Sequence, residues 1–233
     1  MTRRPVIKRL RKVAGAAFVV EVREGLYAAG VLHNSGCTSF LNHFLSDPDE
    51  EIPDAAFTRP LFTVDVQQSF FSKNKFVKLE PPAGFDHRDI PVSDRVIRLR
   101  SRPYDPENPF GHDGPFPYCG GDLFQLRDRY EPSTSSTGTP LISDLQCKRH
   151  RAEIEGSELS VLYIDKTLLE RLAVCYLSGG NFDPYKARVF EDCAYLRNEH
   201  VLNTSWFIPQ RMPLLGLRLI DGEWRPDPEA QNG

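Results

Sequence analysis

Apolar and polar positions first alternate from Ala16 onward. Phe18, Val20 and Val22 face one way, and Val19, Glu21 and Arg23 the other, which is the period of a half-buried strand. Glu24-Gly25 supplies a tight turn and Leu26–Leu32 reads as the returning strand, so the two segments predict a hairpin. Gly30 inside the second strand points to a bulge or a close approach of another group to the backbone. In Cys37–Leu45 the apolar residues Phe40, Leu41, Phe44 and Leu45 fall at helical spacing, and Asp47–Asp54 is an acidic, proline-punctuated loop. Strand patterns return at Leu61–Val66, with Phe62, Val64 and Val66 on one face, then at Phe76–Leu79 and Val92–Arg100.

The pattern then dissolves. Pro103–Pro140 holds seven prolines and the run Ser133-Thr134-Ser135-Ser136-Thr137-Gly138, with one expected strand at Leu123–Arg127. A loop of that length is unusual in a compact domain, so part of it is expected to pack or to meet a partner. Order resumes with a strand at Leu159–Ile164. A helix over Lys166–Leu177 follows, opened by Asp165 and stopped by Ser178-Gly179-Gly180-Asn181. Asp183-Pro184 opens a second helix, expected to reach about Glu199. Trp206–Ile208 and Leu215–Ile220 read as closing strands, Asp221-Gly222 as a turn, and Trp224 as an anchor for the tail.

The expected class is therefore α+β. It comprises a strongly bent, β-rich N-terminal sheet or partial barrel, an irregular middle, and a C-terminal part with two helices and further strands. The corresponding divisions are a basic arm (1–13), a β-rich domain (14–102), a loop-rich segment (103–145) and an α+β part (146–233). The last packs on the first, and the chain can equally form one continuous domain.

Composition narrows the classes. At 233 residues with 40% hydrophobic and 11% aromatic content, the chain can bury a core and is not disordered. No apolar run approaches the roughly 20 residues that cross a bilayer, so no membrane association is expected. Net charge is −3, but Arg3, Arg4, Lys8, Arg9, Arg11 and Lys12 crowd the first 12 residues; without them the body carries −9. An acidic body repels nucleic acid and steers basic partners toward it, and the arm reads as a solubilising tail. Arg3-Arg4 resembles an export signal, but Glu21, Arg23 and Glu24 end the apolar stretch too soon. A cytoplasmic chain is expected. The cysteines at 37, 119, 147, 175 and 193 form no close pair, so no disulfide framework is expected; Cys175 and Cys193 read as buried thiols, and the compartment as reducing.

No motif names a reaction. His112-Asp113 with Cys119 in a Gly/Pro-rich loop is the one arrangement that would suit a Cys/His enzyme, and His87 with Asp89 is weaker still. The six histidines show no zinc spacing, and no phosphate loop or nucleophile elbow occurs. No catalytic residue, metal or cofactor is expected. A nucleic-acid reading would use Arg95–Arg102, with Arg98, Arg100 and Arg102 on one strand face, and Lys148-Arg149-His150-Arg151. The acidic body stands against it. Asp47, Asp49, Glu50, Glu51 and Asp54 put five carboxylates within eight residues. Such a run forms a solvated loop or, in the sharper reading, a phosphate-like docking surface. Phe44, Ile52 and Phe57 would then be its apolar anchors.

Phe18-Val19-Val20-Glu21-Val22, Glu24–Leu32, Pro60–Val66 and Lys75–Leu79 together resemble the immunity protein 26 family of bacterial polymorphic-toxin systems. There a similar strand, Gly-Tyr turn and second strand open a mostly β domain. An aromatic, often tryptophan, leads into the last strand of that family, and Phe76 stands there in this chain. The likeness covers residues 14–80 and is structural rather than catalytic. It implies a protein that binds a cognate toxin and blocks its active site or substrate path. The partner-binding residues expected on this reading are Phe44, Asp47, Asp49, Glu50, Glu51, Asp54 and Phe57. The cognate toxin would be basic, or directed at nucleic acid or nucleotides.

Overall fold

In the computed structural model, which describes residues 4–7, 10–33, 36–101, 118–130, 138–190, 217–220 and 223–226, the chain is an α+β protein. A short strand β1 (Val6–Ile7) precedes the expected hairpin of β2 (Ala17–Arg23) and β3 (Leu26–Leu32). Gly25 makes the turn between them with φ of 70°, a backbone state that glycine adopts without steric cost. Strands β4 (Cys37–Leu45) and β5 (Pro60–Val66), a short helix α1 (Gln68–Lys73) and β6 (Phe76–Leu79) follow. Then come β7 (Arg95–Ser101), β8 (Tyr118–Gln125), β9 (Thr139–Ile142), helix α2 (Arg151–Gly156), β10 (Glu158–Leu159) and β11 (Leu162–Tyr163). Helices α3 (Asp165–Ser178) and α4 (Pro184–Val189) and a two-stranded ribbon, β12 (Leu217–Ile220) with β13 (Glu223–Pro226), complete the described elements.

Two main sheets result. The first has the order β1-β6-β2-β3-β4-β5-β11 and is curved but not closed; the second has the order β10-β7-β8-β9. The divisions near residues 102 and 145 do not coincide with these sheets, because β7 pairs with β8 and β11 adds to β5.

Cys37–Leu45 is a strand, not a helix. It lies between β3 and β5, and Cys37 to Leu41 are all buried. A strand covered on both faces loses its period-2 alternation, and its contiguous apolar residues then imitate a helix. Register shifts at Ala28/Gly30 and Phe40/Leu41 bend the sheet here.

One face of the first sheet, carrying Phe18, Val20, Phe40, Phe62 and Val64, packs on Phe70 and Phe71 of α1 and on Leu168, Leu172 and Cys175 of α3. The other face, with Val19, Val31, Leu41, Leu45 and Leu79, is covered by Ile52, Phe57 and Ile90. The second sheet buries Ile97, Leu123 and Leu159 against Ile154, Val189 and Phe190. Helix α3 serves both cores, since Val174 belongs to the second.

The helix stops as expected. Gly179 takes φ of 70°, and the N–H groups of Gly179 and Gly180 donate to the Tyr176 and Cys175 carbonyls. Asp183 caps α4 through Tyr185, with Pro184 in its first turn; the described helix ends at Val189 rather than Glu199. Leu159–Ile164 is two strands in different sheets, because the chain crosses at Ser160-Val161. The expected features at Trp206–Ile208 and Asp221-Gly222, and the side chain of Trp224, lie outside the described residues.

Part of the basic arm, among the described residues, is packed on the sheet. Val6 and Ile7 pair with β6, and Lys12 lies 4.8 Å from the Phe71 ring centroid. Cys37 and Cys175 are buried thiols, whereas Cys147 is disulfide-bonded. Wide sequence spacing excludes a dense disulfide framework but not a single bridge, and the bridge at Cys147 stands against the expected reducing compartment. Among the described residues no helix is long and apolar enough to cross a membrane.

Candidate functional site

The acidic loop after β4 is held in one conformation. Arg4 donates its backbone N–H to Asp49 Oδ1 at 2.7 Å and a guanidinium N–H to the Pro48 carbonyl at 2.8 Å. Glu50 accepts from the backbone N–H of Ser46 at 2.9 Å and from its hydroxyl at 2.8 Å. Those two bonds, the hydroxyl's first, hold its carboxyl below the usual range. Asp47 Oδ1 accepts from the Asp49 N–H at 2.8 Å. Asp47 and Glu50 therefore spend acceptor capacity inside the loop and Asp49 on Arg4, while Asp47, Glu51 and Asp54 are exposed.

The aromatic residues divide. Phe44 sits half-buried on β4, edge-on to exposed Tyr176 of α3 at 5.3 Å, and Arg23 covers the Tyr176 ring at 5.7 Å. On the opposite face Tyr27 is half-buried; burial, then the charges of Glu21 and Asp47, push its phenol up. Phe57 is buried beneath the loop against Phe85, and Ile52 is buried too. These two support the loop from below and present no anchor at its surface. The sheet face needed covering, and the loop's apolar residues were drawn into that role.

The arginine clusters are largely engaged. Arg98 stacks 4.1 Å over Phe124, and Arg100 pairs with Asp122 and, at 3.5 Å, with Asp144. Arg151 binds Glu155 at 2.8 Å, whereas Lys148 and Arg149 are exposed. Arg102, His112, Asp113 and the side chain of Cys119 lie outside the described residues. His87 contacts Asp86 at 3.3 Å and the ring of His33 at 5.7 Å; Asp89 joins neither contact. Among the described residues no three His, Cys, Asp or Glu side chains converge as metal ligands.

A second assembly, which residue spacing did not reveal, lies where the sheets meet. Arg171 of α3 is fully buried and stacks 3.9 Å from the Phe62 ring. It donates to Glu158 Oε2 and the Tyr163 hydroxyl at 2.8 Å, to Asn181 Oδ1 at 2.9 Å and to the Phe182 carbonyl at 3.2 Å. Asp183 Oδ2 lies 3.6 Å from Arg171 Nη1. Burial pushes the Glu158 carboxyl up, but Arg171 and then Lys186 hold it below its ordinary value. Glu158 therefore stays charged beside the buried guanidinium.

Beside this cluster a cavity of about 150 Å³ separates β5 from the second sheet; Phe62, Thr63, Arg95, Arg129, Glu158 and Asn181 are among its walls. An arginine on a helical face, like a threonine on a strand, looks solvated in sequence. No signal in the chain's spacing could have paired them.

A family model described as Domain of unknown function (DUF8309) matches residues 7–194. No curated protein and no solved structure matches the chain.

Proposed function

The chain belongs to that family, and we propose that it acts by stoichiometric binding, docking its acidic loop on a basic protein and neutralising it as an antitoxin-like immunity protein. The observation that carries this reading is the preorganised loop. Arg4, Ser46 and the Asp47 cap fix its backbone, and Asp47, Glu51 and Asp54 stay exposed on it. A rigid binding loop loses little conformational entropy on association, and a fixed row of carboxylates steers a cationic partner and sets its orientation. The partner expected is a toxin that itself recognises phosphate-rich substrates, because the carboxylates would occupy the same cationic groove. No turnover is part of this reading.

The test begins with a partner captured on the tagged chain, then expressed alone and with the chain. Neutralisation requires that co-expression rescue growth. The triple variant Asp47→Asn, Glu51→Gln, Asp54→Asn should associate about tenfold more slowly at low salt, and the deficit should shrink at high salt. A captured protein whose activity the chain leaves untouched overturns neutralisation. An unchanged association rate in the variant overturns the acidic loop as the interface.

A further inference from the structure

We propose that the slot between the open edge of β5 and the second sheet binds a small planar organic carboxylate, with its carboxylate toward Arg95 and Arg129 and its apolar body against the wall of β5. Among the described residues β11 pairs only with Asp65 and Val66 of β5, so residues 60–64 have no strand on that side. The space left there is about 150 Å³, comparable to a cavity that takes a benzene ring. Leu61, Phe62, Val64, Val96, Leu126 and Leu159 give it apolar walls.

Its polar groups are mostly donors. Arg95 is exposed and makes no ion pair among the described residues; the hydrogen bonds it makes there, to Ser93, are through its backbone. Arg129 stacks 4.9 Å from the Tyr130 ring and spends one N–H on the Arg88 carbonyl at 3.0 Å. Its remaining guanidinium N–H groups are left for a ligand. Of the carboxylates in the wall, Glu158 already accepts from Arg171 and Asn181, and Asp65 has its own interactions.

Thr63 supplies the third donor, through a relay. His33 Nε2 lies 2.7 Å from Ser39 Oγ, which lies 2.6 Å from Thr63 Oγ1. Burial, then the neighbouring charges of His87 and Arg129, push His33 down to about 4, so its ring is neutral and carries one proton. Its Nδ1 is buried with no partner. A buried N–H without an acceptor is rarer than a buried acceptor without a donor, so the proton belongs on Nε2. His33 then donates to Ser39 and Ser39 donates to Thr63. The Thr63 proton, used by neither, is left to donate to a carboxylate oxygen in the slot. Two guanidinium groups and a hydroxyl around an apolar slot match an acid with a ring, not a cation and not a bare hydrocarbon.

The full chain is titrated with sodium benzoate by amide-resolved NMR, beside benzyl alcohol and inorganic phosphate as probes of ring alone and anion alone. Saturable one-to-one binding of benzoate is expected, with shifts centred on β5 and β7 and benzyl alcohol at least tenfold weaker. Arg95→Gln, an exposed change that leaves the packing intact, should weaken benzoate at least tenfold, and Thr63→Val severalfold. The absence of saturation at millimolar benzoate overturns the site. Binding that Arg95→Gln leaves unchanged overturns it too. Phosphate binding as tightly as benzoate overturns the requirement for a ring.

Discussion

At the residue scale, His33 shows how little its own identity decides. It follows strand β3 with no motif around it, yet burial, then the neighbouring charges of His87 and Arg129, hold it neutral. Its folded-state value of about 4 lies below the ordinary 6.5, so the unfolded chain takes up the proton first as pH falls. The stabilisation is fully present above about pH 6.5 and is lost as pH drops toward 4. Denaturant unfolding across that window should show a decline of about 2 kcal/mol attributable to this ring. His33→Gln should flatten the profile. A variant with the same slope as the parent would remove His33 as the cause.

At the element scale the β2–β3 hairpin was legible because its information is local: alternation, a Gly turn, and a glycine inside the second strand. Gly30 lies across from Phe18, and a Cβ there would fall 2.6 Å from the ring's Cζ. Phe18 cannot step aside, since Phe40, Phe71 and Phe76 meet its ring edge-on at 6.1, 6.4 and 5.2 Å. Gly30→Ala should therefore cost about 1–3 kcal/mol, read as a lower urea midpoint with an unchanged slope. A midpoint equal to the parent's would mean that the strand shifts to admit the methyl. The helix stop at Gly179-Gly180 and the Asp183-Pro184 start were legible for the same local reason. Strand β4 was not, because burial on both faces is a property of its neighbours. Helix α1 left no trace either, being only six residues long, with Phe70 and Phe71 fixed by the core they fill.

At the scale of the whole molecule, Arg171 joins what would otherwise be separable parts. Its partners come from β10 in the second sheet, β11 in the first, and the segment leading into α4. Replacing it by Met keeps much of the volume against Phe62 but leaves Glu158 and Asp183 buried with Lys186 as the remaining nearby cation. Arg171→Met should cost about 3–5 kcal/mol in chemical denaturation, because an uncompensated buried charge is worse than none. Glu158→Gln combined with Asp183→Asn in that background should recover part of the loss. Equal stability of Arg171→Met and the parent would show that the two sheets are coupled by apolar packing on α3 alone.

The acidic loop spans all three scales. Its composition was plain in the sequence, and so was the charge contrast with the N-terminal arm. That Arg4 closes on Asp49 and Pro48, across 45 and 44 residues, was not. Local pattern determined the α+β class, the hairpin, the acidic run and the helix ends, because turn chemistry and alternation act over a few residues. Tertiary structure decided which acids remain exposed, that Phe57 faces inward, and that Arg171 is buried. It also placed Thr63, Arg95 and Arg129 around one slot. Those outcomes depend on desolvation and on charges and rings brought from distant segments, and a side chain's burial is set by what the rest of the chain packs against it.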